Sequence, residues 1–151
     1  MWEWANDPVA REWAFSSEPI PWEDHVQWLD AQLSDPRRAL YVGSDERGPV
    51  GHVRFAPTGN GGEAEISVSI APDRRGEHLG APLIDAGTRC AATDLGCERV
   101  LARIKPGNVA SERAFVAADF DPDGVGSSGA QQWLRYTRRC HGDSREVESI
   151  A

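Results

Sequence analysis

The run Glu65-Ile66-Ser67-Val68-Ser69-Ile70 and the turn after it, Arg74-Arg75-Gly76-Glu77-His78-Leu79-Gly80-Ala81, decide the fold of this chain. The run alternates apolar and polar residues, which is typical of a β-strand with one buried face. The turn leads into residues 79–95, where apolar side chains recur at helical intervals. A strand, a basic turn with glycines and a helix start bring backbone N–H groups and the positive end of a helix dipole together. This arrangement favours a ligand that carries phosphate.

The turn alone also fits a purely structural connection, because many strand-to-helix loops contain Gly and Arg. Neither common nucleotide fingerprint matches. The chain has no Gly-x-x-x-x-Gly-Lys-Ser/Thr, and the pair Gly76 and Gly80 lacks the third glycine of Gly-x-Gly-x-x-Gly. Repeated βαβ units, which a dinucleotide domain needs, do not follow. Other parts of the chain must therefore decide between the two interpretations.

The composition indicates one soluble domain. The chain has 151 residues, of which 40% are hydrophobic and 26% charged, so it can bury a core of its own. No apolar run approaches the ~20 residues that span a bilayer. The first residues lack the features of a signal peptide. We therefore expect a cytoplasmic protein without a membrane partner.

Charge and cysteine usage limit the partners. A formal net charge of -8 argues against nucleic acid and is compatible with a cationic amine substrate. The three cysteines and four histidines are too scattered for a disulfide framework or a metal site. We therefore expect no metal ion.

Capping residues, breakers and periodicity predict the order of elements. One helix begins at Asn6-Asp7-Pro8 and reaches Phe15, and a second spans residues 21–33 with apolar residues at helical spacing. Further strands are predicted at 40–43, 50–55, 65–70, 100–104 and 130–138, and further helices at 79–95 and 108–118. Residues 1–140 then form a single mixed α/β domain of the α+β type, and the polar tail 141–151 is predicted to be disordered.

Three segments in a fixed order resemble the GNAT superfamily of acetyl-CoA-dependent N-acetyltransferases. Ile66 to Pro72 is similar to the family's central strand, and Arg75 to Gly80 is similar to its basic-x-x-Gly-x-Gly turn. Asn108-Val109-Ala110-Ser111, continuing to Phe120, is similar to its Asn-x-x-Ser … Gly-Phe segment. The resemblance implies a central, mostly antiparallel twisted sheet of about six strands flanked by about four helices. The family's usual first strand is expected to be missing, because Met1 to Ala5 is too short for it; a partner or an upstream segment is the alternative.

The resemblance also implies acetyl-CoA as co-substrate and assigns residues to it. The turn amides would hold the pyrophosphate, and main-chain groups of the central strand would bond the pantetheine arm. The helix after the next strand would approach the acetyl end, with Ser111 near the departing sulfur. The implied cofactor-binding residues are Val68, Ile70, Arg75, Gly76, His78, Leu79, Gly80, Ala81, Asn108, Ser111 and Phe115.

The chain departs from the family pattern in three places. His78 stands where the turn usually has a small residue, so its side chain must turn aside or contact phosphate. Phe115 replaces the tyrosine that protonates the leaving thiolate in many members, so water, Ser111 or no group would do so here. Asp119 takes a glycine position, which can alter a turn.

The amino-terminal half resembles the acetyltransferases of the pseudaminic-acid pathway, which acetylate the 4-amino group of a nucleotide-linked amino sugar. The residues that carry this resemblance are 4–8, Ile20, 23–28 and 51–55. Similar openings occur in enzymes that acetylate protein N-termini, so that acceptor stays open. A non-catalytic acyl-CoA-binding module is the rival from another class. A small-molecule amine is the expected substrate, and a homodimer is compatible with the family.

Candidate acceptor-side residues are few. Glu65 and His25 are the candidate general bases, together with Ser111 as a catalytic group, although Glu65 can equally be solvated and His25 can pack beside Trp22 or Trp28. Arg54 and Trp28 are the candidate substrate-binding residues. Arg54 can bind a sugar-nucleotide phosphate or pair with Glu65. The side chain of Arg103 is expected to face solvent.

Overall fold

The computed structural model describes residues 1–140, and its centre is a six-stranded sheet. The strands are β1 (Ala39–Asp45), β2 (Gly48–Pro57), β3 (Glu63–Ile70), β4 (Arg99–Ile104), β5 (Asp121–Ser128) and β6 (Gln131–Arg139). The helices are α1 (Trp2–Ala5), α2 (Pro8–Trp13), α3 (Trp22–Ser34), α4 (Gly80–Leu95) and α5 (Val109–Ala117), with a 3-10 turn at Pro72–Arg74. The strand order is β1-β2-β3-β4-β6-β5. Only β3 and β4 run parallel, so the predicted mostly antiparallel α+β sheet is confirmed.

Two elements were not predicted from the sequence. α1 is a single turn, and β5 has mostly exposed residues with no apolar alternation. Within residues 1–140, no strand precedes β1, and no helix is long and apolar enough to cross a membrane. The predicted disordered tail, 141–151, lies outside the described residues.

Different helices pack on the two faces of the sheet. α4 and α5 pack on one face, because apolar side chains on alternate strand positions point there. The core on that face includes Val53, Phe55, Ile66, Ile84, Val100 and Phe115. The other face carries polar residues of β2, β3 and β4, and α1 and α3 contact strands of the sheet there. The polar face therefore remains available for chemistry.

The orientation of α3 differs from its apolar pattern. Trp22 and Leu33 are 55% and 68% exposed, whereas His25 and Gln32 are buried. The Gln32 side-chain amide donates to the Ala39 carbonyl at 3.0 Å, which satisfies a backbone acceptor at the start of β1. In this orientation a polar side of α3, with His25 and Gln32, faces the protein interior.

β2 and β3 approach closely at Gly51. A Cβ atom at this position would lie 2.2 Å from the Ser69 carbonyl oxygen and 3.0 Å from the Ile70 Cα. Real Cβ contacts are not that short, and backbone atoms cannot move aside as a flexible side chain can. Glycine at this position therefore holds β2 against the end of β3.

We expect Gly51→Ala to lower the free energy of unfolding by about 2 kcal/mol, because the added methyl group forces the two strands apart. Urea denaturation of the variant and the parent measures the loss. Gly61→Ala is the matched control, since a Cβ at Gly61 meets no atom within 4 Å. Equal midpoints for the two variants would contradict the close approach.

Candidate active site

β3 and β4 pair over a short distance and then diverge. Their register begins at Glu63 with Arg99 and ends at Ile66 with Ala102. β3 stays paired with β2 as far as Ile70, and β4 stays paired with β6 as far as Ile104. A gap therefore opens between the ends of β3 and β4.

The main chain of residues 67–70 borders this gap, and within the described residues no strand pairs with it on that side. Val68 and Ile70, the two strand residues predicted to bond pantetheine, belong to this segment. Both side chains pack against the core on the α4 face. An extended ligand with amide groups can hydrogen-bond the open main chain as an added strand would.

The turn before α4 collects backbone N–H groups. Gly76 and His78 have φ angles of +79° and +57°, on either side of Glu77. Turns that alternate between left-handed and ordinary backbone conformations can direct their N–H groups toward one point, which suits an anion. The side chain of His78 is exposed beside this array, a position that is compatible with both expected placements.

The first amides of α4 add to this array. α4 begins at Gly80 after Leu79, and no side chain caps it. The N–H groups of Gly80 and Ala81 therefore have no partner within the helix, and the dipole adds positive potential there. The turn residues predicted to hold pyrophosphate thus meet at one helix start beside the gap.

A buried arginine anchors the turn. Arg74 is only 4% exposed and forms ion pairs with Asp45 at the end of β1 and, at 3.2 Å, with Glu77. Arg47 also donates to Glu77, at 2.7 Å. The bonds with Asp45 and Glu77 raise the pKa of Arg74, and the bond with Arg74 lowers the pKa of Asp45. This network fixes the turn to the hairpin between β1 and β2.

The second arginine of the turn is occupied differently. Arg75 donates to the Asp7 carboxylate at 2.7 Å. The same Asp7 oxygen caps α2 by accepting from the N–H groups of Val9 and Ala10 at 3.1 and 3.3 Å, which confirms the predicted helix start. The bond from Arg75 lowers the pKa of Asp7. Arg75 therefore links the turn to the amino-terminal helices.

α5 brings the next predicted residues to the same place. A Cβ at Gly80 would lie 3.2 Å from the Ala114 Cβ, so the start of α4 lies against α5. The Asn108 side chain caps α5 by accepting from the Ser111 N–H at 3.2 Å. Ser111 is half-buried in the first turn of α5.

Phe115 is part of the core. It is 3% exposed and packs edge-to-face on Phe120 with ring centroids 5.0 Å apart. A buried phenol that the sequence analysis overlooked lies nearby in the fold: Tyr136 of β6 donates to Glu112 of α5 at 2.9 Å. Burial and this bond raise the pKa of Tyr136.

Glu65 lies on the polar face, one residue before the last β3–β4 pair. Its Oε1 accepts from the Arg103 Nε at 2.9 Å and lies 2.8 Å from a second guanidinium nitrogen. The expectation that Arg103 faces solvent is incomplete, because its guanidinium also packs over Trp133 and Phe15 at 4.9 and 5.5 Å. This partner of Glu65 comes from a distant segment, so no local pattern indicates it.

Arg54 and Trp28, the two predicted substrate-binding residues, contact each other. The Arg54 guanidinium lies 5.1 Å from the centroid of the Trp28 ring. Burial lowers the pKa of Arg54. Among residues 1–140 no carboxylate forms an ion pair with it. Glu65 pairs with Arg103, and its charge acts on Arg54 only from a distance, where it opposes the effect of burial on the pKa.

The family follows from a comparison with known domains. Residues 1–121 match the model of the acetyltransferase (GNAT) domain. The chain belongs to the GNAT acetyltransferase family. By this membership it is an N-acetyltransferase.

Solved structures show the same fold. Spermidine N-acetyltransferase from Vibrio cholerae, in complex with CoA and spermine, has a TM-score of 0.78 at 17% identity, covering 91% of this chain and 86% of that chain. An aminoglycoside acetyltransferase in complex with coenzyme A has a TM-score of 0.76 at 18% identity over 98% and 90%. Ribosomal-protein-alanine N-acetyltransferase from Brucella melitensis has a TM-score of 0.70 at 23% identity over 84% and 83%. Their acceptors differ, so they show the fold of this GNAT domain and leave its acceptor open.

His25, the second candidate base, is enclosed by indole rings. It is 7% exposed, with centroids 6.0 Å from Trp22 and 5.5 Å from Trp28. Burial lowers its pKa. His25 therefore packs beside Trp22 and Trp28, which was the alternative to a role as general base.

His52 is a buried histidine that the sequence did not single out. It is 8% exposed and stacks on Trp4 with ring centroids 6.2 Å apart and an interplanar angle of 8°. Its Nδ1 has no hydrogen-bond partner among the described residues. Burial, followed by the charge of Arg54, lowers the pKa of His52 to about 4.

The strain at His78 predicts an order of stabilities. The left-handed conformation costs a residue with a Cβ about 1–2 kcal/mol and a glycine almost nothing. His78→Gly should raise the free energy of unfolding by about 0.5–1 kcal/mol, and His78→Val, with its β-branch, should lower it by about 1 kcal/mol. Thermal denaturation of the three proteins tests the order, and a valine variant as stable as the glycine variant would refute it.

His52 predicts a loss of stability on acidification. An unfolded histidine binds a proton near pH 6.5, whereas folded His52 does so near pH 4. Between these values the unfolded chain takes up more protons, so the free energy of unfolding falls as the pH falls. His52→Gln should remove about 2 kcal/mol of the decrease between pH 7 and pH 4.5.

Urea denaturation at both pH values measures this difference. His78→Gln, at an exposed position, is the control for the loss of a histidine as such. The assignment fails if His52→Gln and the parent protein show the same decrease.

Proposed function

We propose that this GNAT protein transfers the acetyl group of acetyl-CoA to the 4-amino group of a nucleotide-linked amino sugar. The single observation that supports this acceptor is the half-buried guanidinium of Arg54, stacked on Trp28 and without a carboxylate partner in residues 1–140. A desolvated cation of this kind favours an anionic ligand group. A polyamine offers no such group, whereas a nucleotide sugar brings a pyrophosphate.

The coenzyme side of the proposal rests on the turn and the gap. The amides of Gly76 to Ala81 at the start of α4 suit the pyrophosphate of coenzyme A. The open main chain of Val68 and Ile70 suits the amides of the pantetheine arm. The thioester then supplies an activated acetyl group at the point where β3 and β4 separate.

The proposal assigns the proton acceptor to Glu65. Arg103 holds this carboxylate in one position on the polar face. Glu65 takes one proton from the acceptor ammonium, and the free amine nitrogen forms a bond to the acetyl carbonyl carbon while the carbon–sulfur bond breaks. The nitrogen then releases its second proton to water, which gives the neutral amide. His25 is the weaker choice, because two indole rings enclose it.

The departing sulfur leaves as a thiolate. Phe115 lies in the core and has no proton to donate. Asn108 orients the first turn of α5, where Ser111 is half-buried, so we assign the nearby donor to the Ser111 hydroxyl or to water. A thiolate is a tolerable leaving group near neutral pH, which makes a strong acid unnecessary.

Titration calorimetry with acetyl-CoA comes first, followed by a thiol-release assay with nucleotide-linked 4-amino sugars, polyamines and peptides with free α-amino groups. We expect saturable binding of acetyl-CoA and the highest kcat/KM with the nucleotide sugars. Arg54→Met should raise the KM for the sugar by roughly 10–100-fold, the effect of losing a charged hydrogen bond, with little change in the affinity for acetyl-CoA. Glu65→Gln should lower kcat without this change in KM.

Arg37→Met is the control variant, because Arg37 is an exposed arginine paired with Asp35. An unchanged KM for the sugar in Arg54→Met would contradict the proposal that Arg54 binds an anionic acceptor. Turnover with peptides alone would establish the protein N-terminal alternative. Binding of acetyl-CoA without turnover of any amine would favour the non-catalytic acyl-CoA-binding module. Absence of acetyl-CoA binding would contradict the proposed coenzyme site.

A further inference from the structure

Two of the three cysteines meet at the end of the sheet that lies away from the gap. Cys97 lies between α4 and β4, and Cys140 directly follows β6. Their sulfur atoms are 3.9 Å apart. The Cys140 N–H donates to the Glu98 carbonyl at 2.8 Å, and the neighbouring residues Arg99 and Arg139 are paired in the sheet. Two strands therefore hold the backbones of both cysteines in place.

The surroundings favour ionisation of one thiol and leave the other partly exposed to solvent. The hydrogen bond with Cys140 lowers the pKa of Cys97, although burial acts against it. The pKa of Cys140 is raised by the same bond and by burial. Cys97 is 8% exposed, whereas Cys140 is half-buried. A thiolate with a second thiol at hydrogen-bond distance is the arrangement that resolves an oxidised sulfur quickly.

We propose that Cys97 and Cys140 form an oxidisable dithiol site that peroxide converts into an intramolecular disulfide. The Cys97 thiolate attacks one peroxide oxygen, which forms the sulfenic acid and releases hydroxide. The Cys140 thiol then attacks the Cys97 sulfur; the sulfur–sulfur bond forms, and the sulfenic oxygen leaves as water. The two sulfurs together lose two electrons, which the peroxide accepts. A disulfide needs the sulfurs to close to ~2.05 Å, and rotation about χ1 provides such a movement.

The bond joins the segment before β4 to the end of β6. It encloses β4, α5, β5 and β6 in one covalent loop, which restricts the unfolded chain and stabilises the folded one. The gap between β3 and β4 opens beyond Ala102, at the other end of β4. Oxidation should therefore change stability while leaving the binding of acetyl-CoA intact. This inference does not depend on the proposed acceptor or on Glu65.

The test treats the purified full-length protein with hydrogen peroxide and counts its thiols under denaturing conditions. The chain has three cysteines, and we expect two to be lost together, with a mass decrease of about 2 Da and a Cys97–Cys140 peptide on digestion. The Tm should rise by roughly 5–15 °C and return to its starting value with dithiothreitol.

Three variants separate this site from general oxidation. Cys90→Ser, at the exposed cysteine of α4, should keep the mass decrease and the rise in Tm. Cys97→Ser and Cys140→Ser should each lose both. A disulfide that contains Cys90, a dimer linked between chains, or a mass increase of oxygen units without the decrease would overturn the proposal, and each can occur in a protein that binds acetyl-CoA normally.

Discussion

The termination of β3–β4 pairing at Ile66 and Ala102 is the constraint on which the rest of the site depends. Parallel strands need a crossover connection, and here that connection is α4, which starts beyond the carboxyl end of β3. The open main chain and the uncapped helix start are therefore produced at one place by one topology. Neither β3 nor β4 loses its other neighbour, so the gap does not weaken the rest of the sheet.

The two faces of the sheet differ in composition. One face is an apolar layer under α4 and α5. The opposite face carries charged residues with different neighbours. Arg103 binds Glu65 and packs over two aromatic rings, whereas Arg54 packs on Trp28 and has no carboxylate ion-pair partner in the described part of the chain. Of these two arginines, one therefore has a carboxylate at hydrogen-bond distance and the other does not.

Local patterns in the sequence predicted the elements that local physics controls. A few neighbouring residues are enough to recognise the alternation in β3, the cap at Asp7 and the ends of α4. β5 escaped prediction, since its residues are mostly exposed and its strand conformation comes from pairing with β6.

Side-chain partners were the least predictable part of the site. Arg74 and Arg75 are adjacent and chemically identical, yet one is buried against Asp45 and the other reaches Asp7. The partner of Glu65 likewise comes from a segment that is distant in the sequence. These contacts form only because the fold brings distant segments together.

The ion pair between Arg75 and Asp7 connects the amino-terminal segment to the turn that we propose binds the pyrophosphate of coenzyme A. The carboxylate oxygen that receives Arg75 also caps α2. An anion that draws Arg75 toward itself removes a partner from Asp7, and any change that frees Asp7 makes Arg75 more available to the anion. Linkage requires the two effects to be equal in free energy. With the pyrophosphate bound as proposed, the order of the first two helices and the affinity of the turn would therefore be one coupled equilibrium, although Asp7 and Arg75 are separated by about half of the domain in sequence.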